Sequence, residues 1–90
     1  MQSRKIYNRI ALLRLEAGIG RKELAEMIGV NFQTIGYLER EEYNPSLDLA
    51  FRISEVFRKP VDFIFSTEPM EPLSEIAYEK YLGGKNEERS

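Results

Sequence analysis

Residues 21–40 read RKELAEMIGVNFQTIGYLER. Leu24, Ala25 and Ile28 recur at the 3.6-residue spacing of a helix face, and Ile35 and Leu38 do the same on a second segment. Gly29, Val30 and Asn31 lie between them. Glycine enters the left-handed conformation that ends a helix at little steric cost, and asparagine is a strong N-cap for the next helix. Val30 supplies an apolar plug under the turn. Ala25 provides the small side chain that two steeply crossed helices need at their contact. The pattern predicts two short helices, residues 21–28 and about 32–40, joined by a tight turn.

Outward from this hairpin the chain stays helical in pattern. A first helix is expected from near Ser3 to about Ala17, with Ile6, Ile10, Leu13 and Ala17 as its stripe and Gly18 as its stop. Ile19 then enters the core. Ser46 reads as the N-cap of a fourth helix reaching about Phe57, with Leu47, Ala50, Ile53, Ser54 and Phe57 facing inward and Asp48 in the first turn. Pro60 follows it, and a short fifth helix is expected over residues 61–65. Pro69-Met70-Glu71-Pro72 reads as an extended linker. A helix over residues 73–82 and a disordered charged end complete the expectation.

The 90 residues bound the function. They suit one domain over residues 1–66 and an acidic C-terminal extension over 67–90. The chain has neither cysteine nor histidine, which removes disulfides, thiolate metal sites and the commonest general base. With no glycine-rich phosphate loop either, nothing points to an enzyme, a metal site or a cofactor. No apolar run approaches the ~20 residues of a membrane span and no signal peptide is evident, so the expected location is the cytoplasm. The net charge of −2 is unevenly spread. Residues 1–60 carry ten Lys/Arg and eight Asp/Glu, and residues 61–90 carry three and seven. A mildly basic body can approach phosphates, but with a modest electrostatic term.

Residues 4–66, from the hairpin through the Tyr43-Asn44-Pro45-Ser46-Leu47 loop to Val61-Asp62-Phe63-Ile64-Phe65, resemble a regulator of the phage repressor/Cro type in its short single-domain form. The resemblance implies an all-α, five-helix lambda-repressor-like fold that binds double-stranded DNA, commonly as a homodimer on a palindromic operator and often as a repressor. It implies that the third helix enters the major groove. Its outward residues would be Phe32, Gln33, Gly36, Tyr37 and Arg40. The Gln33 amide matches N6 and N7 of adenine; alternatively it is a plain exposed polar residue. Phe32 suits a thymine methyl or packing on the second helix. Tyr37 suits a base edge, a phosphate or surface packing. Gly36 either lets the helix sit deeper or is a neutral change. Base contacts are thus expected from Phe32, Gln33, Gly36 and Tyr37, and phosphate contacts from Arg21, Asn31, Arg40, Tyr43 and Asn44.

Arg14 and Glu39 match a family ion pair that joins the first helix to the third. The chain departs from the family pattern at Gly20-Arg21, where a Ser/Thr cap and glutamine are usual, and at Glu41-Glu42, where a glycine normally ends the third helix. The same fold also serves as an antitoxin or as an antagonist of another regulator, and the acidic extension suits such a protein partner. The apolar excess of Phe51, Phe57, Phe63, Ile64 and Phe65 suggests either a two-fold interface or simple core filling.

Overall fold

The structure, a computed structural model, describes residues 4–70. Its elements are β1 (Tyr7–Asn8), α1 (Ile10–Ala17), α2 (Arg21–Ile28), α3 (Phe32–Glu39), α4 (Leu47–Phe57), α5 (Val61–Ile64) and β2 (Phe65–Ser66). Five short helices surround a core in which Ile10, Leu24, Ile35, Leu38, Ile53 and Ile64 are fully buried. Each lies on a different turn or element, so the core is a single knot of branched aliphatic side chains from all five helices. The expected helix over 73–82 and the charged end lie outside the described residues.

The hairpin forms as its sequence dictates. Gly29 ends α2 at φ +77°, and its N–H donates to the Ala25 carbonyl at 2.8 Å, as does that of Val30 at 3.0 Å. Asn31 opens α3 by accepting from the Gln33 N–H at 2.8 Å. Ser46 caps α4 by accepting from the Leu49 N–H at 3.1 Å. Arg52 reaches from α4 to donate to the Ile28 carbonyl at 2.9 Å, giving the last turn of α2 a cationic partner.

Four expectations are corrected. The first helix begins at Ile10, not near Ser3. Tyr7 and Asn8 instead pair antiparallel with Ser66 and Phe65. Asn8 fixes that boundary, because its Oδ1 accepts from the Ile10 N–H at 3.0 Å while its Nδ2 donates to the Leu38 carbonyl at 2.7 Å. Ile6 still packs on the core, but from outside any helix. The fifth helix stops at Ile64, and Phe65 enters β2. On α4 the inward position belongs to Leu49; Leu47 is 70% exposed, and Ala17 on α1 also faces solvent.

Candidate nucleic-acid interface

The geometry of α3 starts from what it buries. Ile35 and Leu38 are fully covered by the core, and the Glu39 side chain is 4% exposed. Arg14 of α1 holds Glu39 with two N–H groups, Nε at 2.8 Å from Oε2 and Nη2 at 3.5 Å from Oε1. Its Nη1 also donates to the Ile19 carbonyl at 3.2 Å. This is the bridge that the sequence resemblance implied. Arg21 of α2 adds a second cation, with Nε 2.9 Å from Glu39 Oε1. One carboxylate therefore ties α3 to both preceding helices, and a bidentate guanidinium restricts rotation as well as distance.

With one side fixed, the other side of α3 faces outward. Arg21, Phe32, Gln33, Gly36, Tyr37 and Arg40 line a shallow hollow of about 190 Å³. Phe32, Gln33, Tyr37 and Arg40 are exposed there. Asn31 lies beside them at the N-terminus of the helix, with its Oδ1 engaged in the cap. Tyr43 is exposed on the loop that follows α3.

Two of the expected site residues sit differently. Asn44 is exposed, but its amide is partly engaged by the backbone ahead of β1. Its Nδ2 donates to the Arg4 carbonyl at 2.7 Å and its Oδ1 accepts from the Ile6 N–H at 3.3 Å, so the side chain staples the leading strand to the loop. Gly36 is buried rather than bare, because the Arg40 side chain lies across it. The i, i+4 spacing of these two residues carried that signal.

The carboxylates after α3 are paired. Glu41 takes φ +63°, the left-handed conformation for which glycine is usual, and its carboxylate meets Lys5 Nζ at 3.6 Å and the Asn8 N–H at 3.4 Å. Glu42 Oε1 lies 3.3 Å from Arg40 Nε. Lys5 and Arg40 thus offset the negative charge beside the outward face. Among the described residues, no group of His, Cys, Asp or Glu is placed to hold a metal ion, and no helix is long and apolar enough to cross a membrane.

Comparison with known proteins agrees with this geometry. The helix-turn-helix family profile matches residues 10–64. An uncharacterized HTH-type transcriptional regulator of Archaeoglobus fulgidus is 42% identical over 64 residues, spanning 69% of this chain and 91% of that protein. One from Methanothermobacter thermautotrophicus is 47% identical over 53 residues, spanning 58% and 77%. A crystal structure of a proposed DNA-binding protein from Bacteroides fragilis superimposes with a TM-score of 0.62 at 24% identity, covering 68% of this chain and 98% of that one. At that identity it shows the shared fold alone.

Proposed function

The chain belongs to the helix-turn-helix family, and from that premise we propose that it is a sequence-specific transcription regulator, acting as a repressor. It binds a palindromic operator as a homodimer in the cytoplasm, with α3 in the major groove. Its relatives from Archaeoglobus and Methanothermobacter are HTH-type transcriptional regulators, which supports a regulator that acts through DNA and not through catalysis. The observation that carries the finer reading is the division of α3 into two sides. Ile35, Leu38 and Glu39 are buried or ion-paired, and Phe32, Gln33, Tyr37 and Arg40 are presented outward.

In this reading Gln33, in the first turn of α3, pairs with adenine, because its amide both donates and accepts. Phe32 beside it meets a thymine methyl, and Tyr37 lies one turn further along. Arg21, Asn31 and Tyr43 contact phosphates from the flanks. Asn44 joins them through its second Nδ2 hydrogen, the first being given to the Arg4 carbonyl.

The test is selection from a pool of random duplexes, with sequencing of the retained DNA, for the native chain and for Gln33→Ala. The native chain is expected to enrich a palindrome, and the variant to lose adenine preference at one position of each half-site. That loss corresponds to about 1–3 kcal/mol of discrimination. No enrichment at low salt would reject the regulator reading and favour a protein-interaction role such as an antitoxin or antagonist.

A further inference from the structure

We infer that Arg40 reads a guanine base, and that Gly36 is the seat that holds its guanidinium over the reading face of α3. The inference rests on the proposal that α3 is the recognition helix, and it assigns Arg40 a base where phosphate was expected.

Gly36 does not owe its place to backbone conformation. The glycines with positive φ are Gly18 and Gly29, and Gly36 sits within regular helix. There a glycine is unfavourable relative to alanine. What a side chain at this position would meet is Arg40. A Cβ on residue 36 would stand 3.2 Å from Arg40 Nη1, tight enough to shift that end of the guanidinium by a few tenths of an ångström, and in ordinary contact at 3.9 Å with its Cζ and Nη2. The three nearest atoms to that point, beyond the helix's own backbone and adjoining residues, all belong to the Arg40 guanidinium. The missing side chain therefore makes room for a guanidinium.

Two further contacts hold that group. Its Cζ lies 5.2 Å from the centroid of the Tyr37 ring, and its Nε faces Glu42 Oε1 at 3.3 Å. Residue 40 follows the last turn of α3, and side chains there lean toward the N-terminus of the helix. The stem accordingly runs back along the outward face, into the hollow shared with Gln33. Glu42 occupies the Nε side, so Nη1 and Nη2 form the remaining donor pair. A planar pair of donors matches O6 and N7 of guanine, and a group already drawn to one side of the helix by Tyr37 and Glu42 has fewer arrangements to give up on binding. A lysine in its place keeps the charge but lacks the paired donors.

Affinity for the selected duplex, and for versions of it changed one base at a time, would be measured over a range of salt concentrations for the native chain, Arg40→Ala, Arg40→Lys and Gly36→Ala. Both Arg40 variants are expected to lose preference for one guanine per half-site by about tenfold or more, with the slope of log affinity against log salt unchanged in Arg40→Lys. Gly36→Ala is expected to melt at higher temperature yet weaken the same guanine preference, because its methyl displaces the guanidinium. A uniform loss across all duplexes in Arg40→Ala, with a salt slope shallower by about one and rescue by Arg40→Lys, would overturn the proposal and make Arg40 a phosphate contact. An unchanged guanine preference in Gly36→Ala would overturn the seat. Failure of the native chain to enrich any sequence would remove the recognition-helix reading itself, an outcome separate from both.

Discussion

At the scale of single residues, Glu39 joins three helices through one carboxylate, and its two cations are not equivalent. Arg14 is 14% exposed and makes three hydrogen bonds, two to Glu39 and one to the Ile19 carbonyl. Arg21 is 48% exposed and makes a single bond to the same carboxylate. Removing Arg14 takes away the buried partner and leaves the Glu39 carboxylate to the exposed Arg21 alone, whereas removing Arg21 leaves the buried pair intact and takes away a cation that water already screens. Arg14→Ala should therefore cost about 3 kcal/mol in urea unfolding, and Arg21→Ala below about 1 kcal/mol. Equal losses would show that the two cations share the carboxylate evenly. The Arg14–Glu39 bridge was legible in the sequence through the family resemblance. The Arg21 contact was not, because whether an exposed guanidinium turns to phosphate or to a neighbouring carboxylate depends on how α2 and α3 cross, and spacing along the chain does not carry that. Arg21 can still meet a phosphate through its remaining N–H groups, but it does so from a position fixed by Glu39.

Among the elements, the helices with strong punctuation were the legible ones. Gly29, Asn31 and Ser46 marked ends that the structure places where the sequence put them. The start of α1 was not legible, since Ile6 continues the apolar spacing of Ile10 and Leu13 even though it lies outside the helix. Periodicity reports which side chains face inward; it is silent on the backbone when one residue alone carries the pattern across a boundary. The decisive group is Asn8, whose bonds to the Ile10 N–H and the Leu38 carbonyl join the head of α1 to the end of α3. Asn8→Ala removes the acceptor of the first α1 N–H and leaves the partly buried Leu38 carbonyl without its donor. The expected cost is about 1–2 kcal/mol, and thermal unfolding measures it directly. Asn8→Asp separates the two bonds, since it keeps the acceptor for the Ile10 N–H and loses the donor to Leu38. It also sets a carboxylate oxygen against the Leu38 carbonyl and beside Glu41, so its stability should fall at or below that of Asn8→Ala. On α4, Leu47 and Leu49 both begin plausible stripes, and the packing of the helix against its neighbours, α2 and α5 among them, goes with Leu49 buried and Leu47 exposed.

For the whole molecule, the question is where a second copy would meet the first. The apolar excess near the end of the body largely resolves into the core: Ile64 and Phe65 are buried, and Phe57 and Phe63 pack against it. Phe51 does not. It is 51% exposed, and Leu47, one turn earlier on α4, is 70% exposed. Residues four apart share one helix face, so the pair forms an apolar strip on the side of α4 away from Leu49, Ala50 and Ile53. The homodimer proposed for operator binding needs a self-complementary surface, because a two-fold axis sets the same patch against itself. The Leu47–Phe51 strip suits that role, with Asp48 and Arg52 ion-paired at 2.7 Å beside it to supply a polar rim. Phe51→Glu places a charge on the strip without touching the core. Its expected outcome in sedimentation or light scattering is a monomer where the native chain is a dimer, with the helical content kept. Affinity for a full palindrome should fall much further than affinity for one half-site, because only the palindrome draws on both copies at once. A Phe51→Glu chain that remains dimeric would move the interface elsewhere on the body or into residues 71–90. A native chain that stays monomeric at high micromolar concentration would count against the palindromic reading and leave α3 to recognise a single site.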